Sequence, residues 1–302
     1  MKGCLKLFFV FFPILALAQS KVEVFLTPSD SLHIQKRNAV VLAQSSLMGG
    51  TLLGLSQAWY KDHDKSSFHL YNDNADWLQM DKVGHAFSGY QLSRASSEAL
   101  QWSGVSKKQS VLYGSLAGFA FLTTVEVFDG FSAQWGFSYG DVLANFSGVA
   151  LYAGQELLWD EQRILLKFSF HTTPYASRRP KVLGENLHQQ ILKDYNGQTY
   201  WLSFNIDSFV KDLQLPKWLN LAVGYGAEGM ITGSDQVVNA IFLPEKERFR
   251  QYYLSLDVDL TKIKTNSHFL KTLFSVVNTL KIPAPTFEIN SKGDTAFHFL
   301  YF

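Results

Sequence analysis

The chain has 302 residues with 27 basic and 26 acidic side chains, a formal charge of +1 at neutral pH, and so lacks the basic surplus that a nucleic-acid partner needs. Hydrophobic residues make up 47% and charged residues only 18%, which keeps a membrane or an envelope component among the expected partners. Cys4 is the single cysteine, which excludes an internal disulfide and a thiolate metal centre.

Residues 1–18 read as a signal peptide: Lys2 and Lys6 are followed by the apolar "LFFVFFPILALA" and a small-residue site before Gln19. This predicts export to the cell envelope, with Cys4 lost on cleavage, and no lipobox precedes Cys4. Without Lys2 and Lys6 the basic residues fall from 27 to 25 against 26 acidic ones, a net charge of −1. The remaining ~284 residues suffice for two ordinary domains or one large one.

Residues 38–60 carry no charge, a run long enough for a hydrocarbon core that takes roughly 20 residues, although Gln44, Ser45, Ser46 and Gln57 dilute it. A membrane span and a buried bundle helix are both open there. Residues 84–101 form an amphipathic helix. Residues 109–125 and 142–155 are apolar runs threaded with Gly, Ala and Ser, which let helix backbones approach closely. A helical bundle is therefore expected over 19–160.

Beyond Trp159 the period shortens toward two. The runs 163–171, 198–206, 219–231, 248–260, 286–290 and 295–302 alternate or are aromatic-rich, and turn signals such as "YNGQ" and "SKGD" separate them. Six runs are few for a spanning barrel, which needs about eight strands. An antiparallel β-sheet or partial β-barrel is expected over 161–302, giving an α+β fold. The segment "TTPYASRRPK" (172–181) reads as the connecting loop, with "SRRPK" solvated and without phosphate-site partners.

Polar residues interrupt the apolar helices at three places. In "DKVGHAFSGY" (81–90), Asp81 and His85 share one helix face at i and i+4, while Lys82 points elsewhere unless the helix start is distorted. Taken alone, Asp81 is a helix cap, Lys82 is solvated and His85 bonds locally. However, Glu126 ends the second apolar run and Asp129 follows it, and Asp141, Asn145 and Gly148 fall at i, i+4 and i+7 on the third helix. A lone buried carboxylate is costly, so such groups are expected to gather. The expected buried polar cluster is Asp81, His85, Glu126, Asp129, Asp141 and Asn145, with Lys82 at its edge and Gly148 admitting a neighbouring helix. The Asx residues of "HLYNDNADW" (69–77) read as turn formers, since their spacing completes no calcium loop.

The set Asp81-Lys82-x-x-His85, then Glu126, then Asp141-x-x-Ala144-Asn145-x-x-Gly148 resembles the VanZ-like family of small helical membrane proteins. More closely, residues 68–160 resemble the YfiM-like family of predicted periplasmic lipoproteins, a domain of unknown function. The strand-rich tail, with "KDYNGQTYWLS" at 193–203, is similar to an extension found in Bacteroidetes relatives. The resemblance implies an envelope address, periplasmic or outer-membrane associated with the inner membrane as the alternative, and no established reaction.

Two functions compete. In the first, the cluster is a non-catalytic keystone and the strand-rich half docks a partner or the outer membrane. In the second, His85, Glu126 and Asp141 are catalytic candidates acting on a lipid-linked or cell-wall precursor, with or without a divalent metal such as zinc, manganese or magnesium. No H-E-x-x-H spacing is present, and the oligomeric state is left open.

Overall fold

Short polar side chains and the apolar period together set the helix positions. Ser138, for example, accepts a hydrogen bond from the Asp141 N–H (3.1 Å) and so caps the helix that carries Asp141 and Asn145. The computed structural model describes residues 21–60, 64–210, 213–233 and 248–302. The expected signal peptide and Cys4 lie outside the described residues.

The main helices are α1 (Ile34–Leu55), α2 (Met80–Trp102), α3 (Lys107–Asp129) and α4 (Tyr139–Leu158). α2, α3 and α4 pack as a bundle, and small residues allow their close approach. A Cβ at Gly148 would collide with the Ala86 carbonyl, and one at Gly89 with the Asn145 carbonyl, so the backbones of α2 and α4 almost touch. α1 and α3 are both long and apolar enough to cross a membrane. A third of the most apolar stretch of α3 is buried in the fold, against 6% for α1.

The sheet has six strands: β1 (Ile164–Phe170), β2 (Gln198–Asn205), β3 (Leu219–Glu228), β4 (Phe249–Val258), β5 (Ala284–Asn290) and β6 (Thr295–Tyr301). Their spatial order is the chain order and each neighbouring pair is antiparallel, so the fold is α+β with the helices preceding an open sheet. An amphipathic helix, α5 (His268–Val277), lies between β4 and β5. The expected loop at 172–181 needs correction. It contains two single-turn helices, Tyr175–Arg178 and Pro180–Leu183, the second started by a proline whose missing N–H costs nothing there. Arg179 donates to the Ile231 carbonyl (3.0 Å), so "SRRPK" is pinned to the protein and not simply solvated.

The sheet is strongly curled. From β6, Tyr301 reaches Thr199 on β2 (3.2 Å) and Tyr253 on β4 (2.9 Å). Residues 279–281 run along the outer edge of β1, with Phe168 N–H donating to the Thr279 carbonyl (3.0 Å) and Lys281 N–H to the Phe168 carbonyl (2.9 Å). Inside the curl lie Trp201, Ser203, Asn205, Asn220, Tyr253 and Asp257, all buried. The outer face is apolar, and α2 covers only one end of it: Phe87 sits 5.8 Å from Phe168 and 5.5 Å from Tyr200, ring to ring. Met80, Tyr200, Ala227 and Met230 form the core of this seam between helices and sheet.

Candidate functional site

The polar residues read from the sequence converge where α2, α3 and α4 meet. The approach to α2 is unusual. Trp77, Leu78 and Gln79 have φ of 49°, 50° and 65°, a left-handed turn without glycine. Contacts from the sheet side hold it: Trp77 N–H donates to the Gly233 carbonyl (2.7 Å), the Tyr225 hydroxyl donates to the Leu78 carbonyl, and Arg250 Nη2 donates to Gln79 Oε1 (2.6 Å).

Lys82 is not at the edge of the cluster, as expected, but at its centre. Its Nζ lies 2.7 Å from Asp73 Oδ1, 2.7 Å from Asp141 Oδ1 and 3.2 Å from Asp81 Oδ2. The physical reason is its long flexible stem, which carries the ammonium around the helix to the place where carboxylates accumulate. Asp73, expected to be a turn former, supplies one of them from the loop before α2, and Ser138 Oγ donates to it (2.6 Å).

His85 occupies the next position inward. Its Nδ1 is 3.0 Å from Asn145 Oδ1 and 3.6 Å from Glu126 Oε1, and its Nε2 is 3.7 Å from both Asp81 Oδ1 and Asp141 Oδ1. Tyr195, just before β2, donates its hydroxyl to Asp81 Oδ1 (2.6 Å) and closes the cluster from the sheet side. Glu126 and Asn145 are fully buried, and neither Glu126 Oε1 nor Asn145 Nδ2 has a hydrogen-bond partner. Asp129 stands apart from Lys82 and His85, one turn beyond Glu126, where the Tyr60 hydroxyl donates to it (2.6 Å). Gly148 backs the site by bringing α4 against α2.

Asp73, Asp81, Glu126 and Asp141 thus surround Lys82 and His85, with Asp129 one turn away. Burial, reinforced by Asp141, Asp129 and Asp81 and opposed by His85, pushes the Glu126 carboxyl up to about 8. Burial likewise raises Asp141 to about 7, with Asp81 adding and His85 and Lys82 opposing, and raises Asp129 to about 6 against the Tyr60 hydrogen bond. Burial also works against Asp81, but the charges of His85 and Lys82 and the Tyr195 hydroxyl overcome it and hold this carboxyl below its ordinary range. His85 is the mirror case: burial disfavours its charge, yet Asp81, Asp141 and Glu126 raise its pKa. Both Glu126 and His85 are thus shifted toward their protonated forms, Glu126 by burial and His85 by the surrounding carboxylates.

Asp81, His85 and Asp141 present ligand atoms within 4.8 Å of one another, a donor set suited to a divalent ion. The Lys82 ammonium already supplies positive charge to two of the three, and an incoming ion would have to displace it. The side chains of Lys82, His85 and Asp81 remain 14%, 20% and 23% exposed, so one side of the cluster is open.

The sequence reading missed Asp73, Tyr60 and Tyr195. Of these, only Asp73 carried a signal, as an acid eight positions before Asp81 in an Asx-rich stretch. No curated protein and no solved structure matches the chain. The VanZ-like likeness rests on motif spacing alone. The stretch from the loop bearing Asp73 through most of α4, residues 69–154, matches the family described as predicted periplasmic lipoprotein (DUF2279), whose function is unknown and whose description agrees with an exported envelope protein.

Proposed function

We propose that this envelope protein is a non-catalytic module in which the polar cluster fixes the helical bundle and the sheet in one arrangement, so that the sheet can dock a component of the periplasm or outer membrane. The observation that carries this reading is the Lys82 ammonium, which binds carboxylates from the 64–79 segment, α2 and α4 at 2.7–3.2 Å. Tyr195 extends the same network to the sheet side. A cluster that supplies its own counter-ion needs no ligand to hold its shape.

The test pairs stability with function. Lys82→Met and His85→Gln are introduced, their thermal unfolding followed by circular dichroism, and each variant asked to restore a deletion strain. Loss of function in step with loss of fold is the expected result. A His85→Gln protein of normal stability that fails to restore function would reject the keystone.

One observation favours a second reading, an acid/base or metal-assisted enzyme acting on a lipid-linked or cell-wall precursor. Glu126 Oε1 and Asn145 Nδ2 are buried without partners beside a partly open histidine, and unmatched polar atoms are what a bound group would satisfy. A stoichiometric divalent ion in the purified protein would move the assignment to this reading.

A further inference from the structure

The sheet is inside out for a protein surrounded by water. Around the buried Trp201 and Tyr253, its enclosed face carries Lys167, Ser203, Asn205, Asn220, Ser255, Asp257 and Thr286, including an ion pair between Lys167 Nζ and Asp257 Oδ2 at 2.8 Å with both side chains fully buried. Its outer face is aliphatic and aromatic. The register aligns Leu202, Val223, Leu254, Phe287 and Phe297 in one row across five strands, with Leu221 paired to Leu256 and Tyr252 to Ile289 beside it. These residues are 38–58% exposed. Among the described strand residues, the charged one on this face is Arg250, which stands near the end of β4 and is held by Gln79. Polar within and apolar without is the pattern that lipid selects in transmembrane barrels.

We propose that this outer face seats in the acyl chains of a membrane leaflet. A protein partner fits it poorly, because specific interfaces carry about one hydrogen bond per 100–200 Å² and a polar rim, and the aligned row offers no donor or acceptor side chain. α5 carries a second exposed apolar stripe: Phe269, Leu273 and Val276, at i, i+4 and i+7, are 48%, 41% and 64% exposed. An amphipathic helix of this kind suits a lipid interface. The face lies against one leaflet and does not span. Among the described residues β6 pairs only with β5, and an unpaired strand edge is not tolerated in hydrocarbon. β1, β5 and β6 have 7 residues each, short of the roughly 9–11 that a spanning strand takes. The inference rests on the docking reading for the role of the sheet alone. Its failure would leave the stability effects of the cluster mutants untouched.

The test uses the full chain with Cys4→Ser and a polarity-sensitive fluorophore at Phe287→Cys, mixed with phosphatidylethanolamine/phosphatidylglycerol vesicles. Emission should shift to the blue on vesicles, while the same probe at the exposed Glu185→Cys should not respond. Adding Leu254→Asp should weaken vesicle binding at least about tenfold, the effect expected from placing a charge where an apolar side chain was buried, with the circular dichroism spectrum kept. No shift at position 287 on vesicles would overturn the proposal. So would a shift that appears without lipid as protein concentration rises, since a second copy of the chain would then cover the face. If Leu254→Asp does not fold, the contrast between probes at 287 and 185 decides alone.

Discussion

The protein buries lysine–aspartate networks in two places, and they are built on opposite principles. In the sheet, Asp257 faces two lysines, Lys167 at 2.8 Å and Lys281 at 4.0 Å, all fully buried. Every group there is hydrogen-bonded: Lys167 Nζ also donates to the Val258 carbonyl, Lys281 Nζ to those of Leu256 and Ile282, and Asp257 accepts from the Ser203 hydroxyl and the Ile282 N–H. Burial lowers the pKa of both lysines, that of Lys281 to about 8. In the helices, one lysine and one histidine face an excess of acids, burial raises the Glu126 pKa, Glu126 Oε1 and Asn145 Nδ2 are buried without hydrogen bonds, and one side is open. The sheet network is a brace sealed from water. The helix cluster is a brace around an excess of acid that can titrate.

Removing charges one at a time breaks the comparison, and the largest effect belongs to the sheet. Asp257→Ala strands two ammonium groups in a closed interior and should destabilise the protein by about 3–5 kcal/mol in chemical denaturation. A loss under about 1 kcal/mol would mean that water reaches the pair. Asp141→Ala should cost less, about 2 kcal/mol, because Lys82 keeps Asp73 and Asp81 and is partly solvated. If the two losses came out in reverse order, the helix cluster and not the Asp257 network would be the stronger brace.

pH sharpens the contrast. The folded Glu126 carboxyl titrates near 8 against an ordinary 4.5, so the stability tied to its proton is complete below pH 4.5 and is lost as pH rises toward 8. His85, also raised, loses its contribution in the same direction. The melting temperature should therefore fall between pH 5 and pH 8 by roughly 3 °C or more, and Glu126→Gln should make that slope shallower, leaving the share that Asp141, Asp129 and His85 contribute in the same direction. Parallel slopes in the two proteins would show that Glu126 is ionised throughout. The smallest effect is expected at Glu185, an exposed residue where alanine should change stability by under about 0.5 kcal/mol.

Much of this was legible in the sequence because it is periodic. Four helices and six strands follow from apolar spacings of 3.6 and 2, and Asp81, His85, Glu126, Asp141 and Asn145 stand out because they are polar inside apolar runs. Asp73 and Tyr195 come from loops, where no period marks the inward side. Lys82 was misplaced because its ammonium is set by a flexible stem and by Asp73, not by the direction of its Cβ. The polarity of the sheet was hidden for another reason. Strict alternation has the same period whichever face turns inward, and only the curl that brings Tyr301 to Thr199 decides which residues it encloses.

The left-handed turn at Trp77–Gln79 has a mechanical meaning. Each residue forced into that conformation costs roughly 1–2 kcal/mol, and what holds it there reaches in from the sheet side: the Gly233 carbonyl, the Tyr225 hydroxyl and the Arg250 guanidinium. The turn is a loaded spring with its catch on one half of the molecule and its free end on Asp81 and Lys82. All three contacts come from outside the helical bundle, so the direction in which α2 sets out, and with it the placement of Asp81 and Lys82, is set from the sheet side.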